Sequence, residues 1–260
     1  GVVFQKALDK LLAKHVGKFI AVPLVMLAKS PAMDDLRYLF GLSEEPASDR
    51  PDARDKEMKA PHALSKSALV LPPEGRRLKR LECSVPLVLA ETIDKSPVLA
   101  AILADRAKAL SRDASRESLI LVGYAPRSDA ALAAWKTSAQ AIAEQVRAKA
   151  GLRRALAVGV RSGVRYGQQD SDRKELHEAF RALTTEGRVI VVPLAPDGSL
   201  VERLLKRDLG NTAYRWDGKG VLGDRRLLDW VRSAAEAASK LPDVRQYRDG
   251  ARGALSGGGR

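Results

Sequence analysis

From residue 118 onward, short apolar runs alternate with longer stretches whose apolar residues recur at helical spacing. The runs Ser118–Val122, Leu156–Val160 and Val189–Ala195 are short and continuously apolar, as is typical of strands covered on both faces. Two longer stretches, 129–150 and 171–185, have the length and apolar spacing of helices, and the first of them stops at a glycine. This alternation predicts a parallel sheet with helices on both faces, that is, a doubly wound α/β domain.

One eight-residue phrase occurs twice along the chain. Gly17–Leu24 reads GKFIAVPL and Gly187–Leu194 reads GRVIVVPL, with five identical positions and a sixth that exchanges Lys for Arg. Each copy follows a helical pattern and precedes another helical segment that ends in a glycine, at Gly41 and at Gly210. An apolar run in this setting predicts a buried parallel strand, and two copies predict a duplicated α/β domain with both strands central in their sheets.

The N-terminal half repeats only part of this order. Its pattern predicts a helix over 3–16, a strand at Phe19–Leu27 and a second helix over 32–40, followed by a polar excursion at 43–67. The remaining predicted elements are short extended segments at Ala68–Leu71 and Cys83–Leu87 and helices over Ser96–Leu110 and 221–239. Because this half opens with a helix, we expect the first domain to lack its N-terminal βα portion.

These patterns predict three regions in the chain. Residues 1–95 form the incomplete N-terminal half, residues 96–242 form a complete C-terminal domain, and residues 243–260 form a basic flexible tail rich in Arg, Gly and Ser.

Composition narrows the classes of function. The formal net charge of +13 over 260 residues suits an acidic protein, an anionic membrane surface or a polyanion, or else a chain that uses Arg as a solvated surface residue. Nucleic acid is not expected as a partner, because aromatic residues make up 5% and do not interleave with basic runs. The single Cys83 excludes an intrachain disulfide framework and a multi-cysteine metal site.

The strand and loop Leu119–Pro126, LILVGYAP, resemble the strand and metal-site loop of the class II tetrapyrrole chelatases, the sirohydrochlorin cobalto- and ferrochelatases. The segment Val189–Gly198 is similar to that family's later strand and loop. The two-domain bacterial members of the family are also similar at residues 105–110, 220–223 and Trp230. The resemblance therefore covers the whole chain except 43–67 and the tail. It implies two similar, doubly wound chelatase-like domains that face each other across a cleft.

The resemblance implies insertion of a divalent cobalt or iron ion, as substrate, into a tetrapyrrole without a nucleotide. Imidazole or carboxylate groups would hold the ion and accept the two pyrrole protons. Tyr124 and Lys29 stand where the family has its histidines, and Leu200 takes the comparable place after the second repeated strand. A Lys ammonium binds metals poorly, and Tyr ligates only as a phenolate, against an ordinary pKa of about 10. We therefore expect these catalytic positions to be non-functional.

The three histidines offer no substitute ligand set. His15 lies late in the first predicted helix, His177 lies in the middle of another, and His62 lies in the polar excursion. No His-x-x-x-His, Cys-x-x-Cys or Glu-x-x-His spacing occurs, so no metal ligand is predicted.

Two loops supply candidate substrate-binding residues. Arg161 and Ser162 open a Gly-containing loop between a strand and a helix, where an Arg and backbone N–H groups can hold a carboxylate or a phosphate. Asp197 and Ser199 lie in the loop after the second repeated strand. The alternative interpretations are a solvated connection for the first loop and a helix N-cap for the second.

Three functions stay open on the sequence alone. The first is a divergent chelatase-like protein with a degenerate metal site that acts in binding or assembly. The second is an active cobalto- or ferrochelatase that takes ligands from a strand preceding Gly1. The third is a basic accessory subunit docked on an acidic or membrane-bound complex. The expected setting is bacterial, either cytoplasmic or exported with a cleaved N-terminus.

Overall fold

The computed structural model describes residues 2–45, 79–161, 166–210 and 212–247. The helices are α1 (Val2–Leu12), α2 (Pro31–Leu39), α3 (Pro97–Leu110), α4 (Asp129–Ala150), α5 (Tyr166–Thr184), α6 (Ser199–Leu209) and α7 (Arg225–Ser239). The strands are β1 (Phe19–Ala21), β2 (Leu87–Leu89), β3 (Glu117–Tyr124), β4 (Arg154–Val160) and β5 (Arg188–Leu194). Short 3-10 helices at Ile93–Lys95 and Ala114–Arg116 precede α3 and β3.

All strand pairs in the described part are parallel. In one sheet β1 pairs with β2, Phe19 opposite Leu87; in the other, β3 lies between β4 and β5, with Leu119 opposite Ile190. A parallel bridge between Ile190 and Arg215 adds a further partner at the outer edge of β5. The predicted α/β fold with parallel sheets is therefore confirmed.

Alternate residues of β3 belong to two different hydrophobic clusters. Leu119 and Leu121 pack with side chains of α3 and α4, whereas Ile120 and Val122 pack with side chains of α5 and α6. Because successive side chains of a strand point to opposite faces, the two clusters lie on opposite faces of the sheet. The sheet is thus covered by helices on both sides, which is the doubly wound arrangement.

The described residues pack as two compact units. The first unit consists of the described parts of 1–23, 31–91 and 233–260, and the second consists of those of 24–30 and 92–232. The sheet of β1 and β2 belongs to the first unit, and the sheet of β3, β4 and β5 belongs to the second. The predicted domain limits and the predicted similarity of the two domains stay predictions.

Helix α4 begins and ends as predicted. The hydroxyl of Ser128 accepts a hydrogen bond from the N–H of Ala131 at 3.3 Å, which caps the first turn. Gly151 has a left-handed φ of 71° and donates its N–H to the carbonyl of Arg147. Glycine adopts that conformation without the steric cost that a β-carbon brings, so the helix stops there.

The first copy of the repeated phrase differs from its prediction. The strand is Phe19–Ala21 and not Phe19–Leu27, because the apolar residues that follow are used elsewhere. Met26 and Leu27 are buried in the core of the second unit, and the nearby N–H of Ala28 donates to Asp94 at 3.0 Å. Among the described residues β1 pairs with β2 alone, and β5 is the outer of three strands, with one isolated bridge to Arg215 beyond it. The central place predicted for both copies is therefore not found there; the central strand is β3.

Three helix limits also differ from the predictions. Helix α1 ends at Leu12, and His15 lies in the following turn with a left-handed φ of 55°. Helix α5 begins five residues before the predicted 171, at Tyr166, and α7 begins at Arg225 and not at 221. The segment Ala68–Leu71, the polar excursion from residue 46 and the tail after 247 lie outside the described residues.

Candidate functional site

The carboxyl ends of β3, β4 and β5 lie at one edge of the sheet because the strands are parallel. Tyr124 ends β3, Arg161 follows β4, and Asp197 follows β5. The chain leaves β3 for α4 on one face and leaves β5 for α6 on the opposite face. Such a reversal between adjacent strands is where doubly wound sheets form binding crevices. Two predicted site residues, Tyr124 and Asp197, therefore flank it.

Tyr124 turns its ring toward the face covered by α5 and α6. The ring packs against the same cluster as Ile120 and Val122, and its hydroxyl is buried without a hydrogen-bond partner among the described residues. Burial raises the pKa of the phenol well above its ordinary value, although the charges of Arg203 and Arg207 act in the opposite direction. The neutral phenol is therefore strongly favoured over the phenolate that could bind a metal ion.

A group of charges on α5 and α6 lies near that phenol. The guanidinium of Arg207 donates to the buried carboxylate of Asp208 through Nε and Nη2, each at 2.6 Å, and Arg173 Nε donates at 3.3 Å. Burial alone would raise the pKa of Asp208, but the two arginines outweigh it and lower that pKa. The sequence gives no sign of this group, because Arg207 and Asp208 are adjacent in sequence and such neighbours do not ordinarily face each other on a helix.

Arg161 is held by partners inside the protein. Its Nε lies 3.0 Å from both carboxylate oxygens of Asp172 and its Nη2 lies 2.7 Å from Oδ1. Its Nη1 donates to Asp129 at 2.6 Å and to the carbonyl of Arg127 at 3.1 Å. The hydrogen bond to Asp172 raises the pKa of the guanidinium; burial opposes this and Asp129 adds to it. The side chain thus joins the end of β4 to α5 and to the start of α4.

The structure consequently gives Arg161 a positioning role that the sequence did not indicate. Asp172 and Asp129 each lie in a helix that follows a strand, and nothing in their spacing identifies them as partners of one arginine. Substrate binding by Arg161 stays a prediction. Ser162 lies outside the described residues.

Asp197 and Ser199 form a tight turn that leads into α6. The N–H and the hydroxyl of Ser199 donate to the Asp197 carboxylate at 3.1 Å and 2.6 Å. The Ser199 hydroxyl chiefly, with backbone N–H groups and the charge of Arg203, lowers the pKa of Asp197 against the effect of burial. Asp197 therefore acts as a cap-like acceptor for the helix, and its role toward a substrate stays a prediction. Leu200 lies in the first turn of α6.

Lys29 is exposed and belongs to the same unit as Tyr124. It lies in the segment 24–30, which follows the first copy of the repeated phrase. A hydrogen bond from the N–H of Ala28 to the carboxylate of Asp94 holds this segment. That Lys29 and Tyr124 meet in one site stays a prediction.

Close backbone contacts hold the loop after β5. A β-carbon on Gly198 would lie 2.1 Å from the carbonyl oxygen of Gly218, and one on Gly220 would lie 2.5 Å from that of Ala195. The N–H of Val221 donates to the Ala195 carbonyl at 3.2 Å. Glycine is needed at 198 and 220 because the backbone of the loop after β5 and the backbone around 218–220 nearly touch.

The described residues contain no group of three or more His, Cys, Asp or Glu side chains arranged to hold a metal ion. His177 is partly exposed on α5, and His62 lies outside the described residues. In the same part of the chain, no helix has the length and apolar character required to span a bilayer.

Comparisons with known proteins give one weak likeness. No family model and no curated protein matches the chain. Among solved structures it is similar to SirB from Bacillus subtilis with Fe3+, at 12% identity and a TM-score of 0.49, over 90% of this chain and 79% of that one.

Proposed function

We propose that this protein is a divergent class II chelatase-like protein that acts in binding or assembly and does not insert metal into a tetrapyrrole. Two features support the proposal. The segment Leu119–Pro126 resembles the metal-site strand and loop of that family, and it lies at the carboxyl end of a parallel strand beside the reversal of the sheet.

The environment of Tyr124 is the observation that carries the proposal. Metal insertion requires groups that hold a divalent ion and accept protons from the pyrrole nitrogens. Tyr124 stands at the family's histidine position, but its hydroxyl is buried and burial raises its pKa. A neutral phenol neither binds the ion well nor accepts a proton. Lys29, at the second histidine position, is exposed, and lysine is a poor ligand for a divalent metal ion.

Anaerobic insertion of Co²⁺ or Fe²⁺ into sirohydrochlorin, followed by absorbance, tests the proposal. General acid–base groups are worth about 10²–10⁴-fold in rate, so we expect the chain to be at least about 100-fold slower than an active chelatase. Brisk insertion by the unmodified chain would overturn the proposal and favour the alternative of an active enzyme.

A histidine-restoring variant sharpens the test. Tyr124→His combined with Lys29→His returns imidazoles to both family positions, and Tyr214→His is the matched control, since Tyr214 is another partly buried tyrosine on the same face of the sheet. A gain of insertion in the double variant alone would support a degenerate site. Titration of the unmodified chain with sirohydrochlorin separates binding without insertion from no binding.

The net charge of +13 favours the further hypothesis of a basic accessory subunit, which stays a prediction. Its test is salt-sensitive co-purification with one large acidic or membrane-bound assembly.

A further inference from the structure

Two guanidiniums from neighbouring helices share one buried carboxylate. Arg207 of α6 donates to Asp208 through Nε and Nη2, and Arg173 of α5 donates to the same carboxylate through Nε. The Asp208 side chain is 2% exposed, whereas those of Arg173 and Arg207 are 46% and 49% exposed. Within the described part of the chain, Nη1 of Arg207 and both Nη atoms of Arg173 have no hydrogen-bond partner. The carboxylate thus holds the two arginines together and leaves N–H groups on both without an acceptor.

A third arginine lies on the same flank of α6. Arg203 precedes Arg207 by four residues, so their side chains are neighbours on the helix surface. Arg203 is exposed and has no hydrogen bond or ion pair from its side chain among the described residues. After the hydrogen bonds from Ser199, the charge of Arg203 also lowers the pKa of Asp197, so that carboxylate already has closer partners.

These three arginines, 173, 203 and 207, are called the arginine group below. Like charges four residues apart on a helix repel each other, as Arg203 and Arg207 do here. One buried carboxylate balances only part of the three positive charges. An anion bound at this flank would remove the remaining repulsion.

The other flank of α6 balances its charges within the chain. The Lys206 Nζ lies 2.8 Å from the carboxylate of Glu202, and this is an oppositely charged pair at the same four-residue spacing. Burial raises the pKa of the Tyr214 phenol, Glu202 adds to the rise and Lys206 opposes it, so the pair lies near Tyr214. The excess of positive charge is therefore confined to the flank that carries Arg203 and Arg207.

Tyr124 adds an unsatisfied hydroxyl to the arginine group. Burial raises the pKa of its phenol and the charges of Arg203 and Arg207 oppose the rise, so both guanidiniums lie near the hydroxyl. The hydroxyl is buried and has no hydrogen-bond partner in the described part of the chain. Buried polar groups are nearly always hydrogen-bonded, and an exception calls for an acceptor such as a bound ion.

The chemistry of these groups selects the ligand. Guanidiniums and a neutral phenol donate hydrogen bonds, so the ligand must accept them and carry negative charge. Guanidinium forks match the paired oxygens of carboxylates and phosphates. Three positive charges against the one carboxylate of Asp208 leave an excess of two, which favours a multiply charged anion over a monoanion.

We infer that the arginine group and Tyr124 form a binding site for a small, multiply charged oxyanion, carried either as a phosphate or as clustered carboxylates. Arg203 and the N–H groups left open on the other two arginines donate to its oxygens, and the Tyr124 hydroxyl donates to one of them. Asp208 is a positioning residue that holds Arg173 and Arg207 together. The inference holds whether or not the protein inserts metal.

Isothermal titration of the full chain with two probes tests the inference. Pyrophosphate represents the phosphate source, and tricarballylate, a compound with three carboxylates, represents the carboxylate source. Saturable binding of either probe at one site per chain supports the inference, and the tighter of the two identifies the source. Absence of saturable binding by both probes at low ionic strength would overturn it.

Two charge-matched variants locate the binding. Arg203→Gln and Lys206→Gln each remove one positive charge from α6, so a difference between them cannot come from the net charge. We expect Arg203→Gln to weaken binding at least about tenfold, because charge-assisted hydrogen bonds are lost, and Lys206→Gln to change it by less than about threefold. Arg203 has no hydrogen bond in the described part, so its replacement should leave the fold intact. Equal affinity in the two variants would contradict the site.

Tyr124→Phe tests the hydroxyl separately. Removal of an unsatisfied hydroxyl should stabilise the free chain, but it should weaken probe binding by about threefold or more, because the anion loses a donor. A purely structural role would not separate stability from binding in this way. Tyr214→Phe, on the other flank of α6, is the control and should bind the probes as the unmodified chain does. Undiminished binding by Tyr124→Phe would contradict the assignment of the hydroxyl to the site.

Discussion

Arg161 and Asp172 form a buried ion pair at the carboxyl end of the main sheet. Nη2 of Arg161 lies 2.7 Å from Oδ1 of Asp172, and each residue is 4% exposed. Asp172 also accepts the backbone N–H of Arg161 at 3.0 Å, so one carboxylate fixes both the side chain and the backbone where β4 ends. The pair sets where the following loop begins.

Removal of one partner should be costly. Asp172→Asn removes the buried counter-charge of the Arg161 guanidinium and leaves it the carboxylate of the exposed Asp129. Losses of about 3–5 kcal/mol in the free energy of unfolding are usual when a buried pair is broken in this way. Asp129→Asn is the control, because the Asp129 side chain is 81% exposed and surface pairs are worth about 1 kcal/mol or less. Urea denaturation measures the free energy of unfolding of each variant, and equal losses in the two would contradict the prediction.

The buried hydroxyl of Tyr124 should weaken the fold. It has no partner in the described part of the chain, and an unsatisfied buried polar group costs about 1–3 kcal/mol. Tyr124→Phe should therefore raise the free energy of unfolding by about 1 kcal/mol. Tyr214→Phe, on the same face, should change it by less than about 0.5 kcal/mol. A destabilised Tyr124→Phe protein would reveal a hydrogen bond to the hydroxyl.

Stability should depend on pH through Glu117, which is 1% exposed at the start of β3. Burial alone would raise its pKa, but hydrogen bonds from Ser111, Arg112 and Asp113 and the charge of Arg188 outweigh burial and lower it. Since the folded pKa lies below the unfolded value of about 4.3, the stabilisation is complete above that value and is lost as the pH falls through the folded pKa.

A glutamine at this position removes that titration. Denaturation at pH 7 and pH 3 should show a larger difference between the unmodified chain and Glu117→Gln at pH 7 than at pH 3. Glu236→Gln, at an exposed position on α7, is the control and should track the unmodified chain at both pH values. A constant difference for Glu117→Gln across this range would show that Glu117 does not titrate there.

The contact between Gly198 and Gly218 should not tolerate a methyl group. A β-carbon at Gly198 would lie 2.1 Å from the Gly218 carbonyl oxygen, so Gly198→Ala must displace the loop after β5, at a cost of about 1–3 kcal/mol. Gly17→Ala is the control, because nothing lies within 4 Å of a β-carbon there. Thermal denaturation of the two variants distinguishes them, and equal midpoints would contradict the contact.

The spacing of apolar residues along the chain was sufficient to predict helices and strands, because each of these elements is built from residues that are neighbours in sequence. The run of β3, the capped helix α4 with its stop at Gly151 and the buried strand β5 all follow from apolar spacing and from glycine's tolerance of left-handed backbone. The parallel α/β class follows from their alternation. The sequence also locates Tyr124 and Asp197 at the carboxyl ends of strands, because each stands at or just after a predicted strand. Their role in a site stays a prediction.

Tertiary structure alone decided what those residues contact. The strand at Phe19 stops after Ala21 because Met26 and Leu27 are buried in the core of the second unit, among residues far along the chain. Likewise, Arg161 meets Asp172 of α5, and the Tyr124 hydroxyl is buried on the face of the sheet that α5 and α6 cover. Local patterns set backbone conformation through sterics and hydrogen bonds between near neighbours. Burial and ion pairing depend on distances that only the packed chain defines.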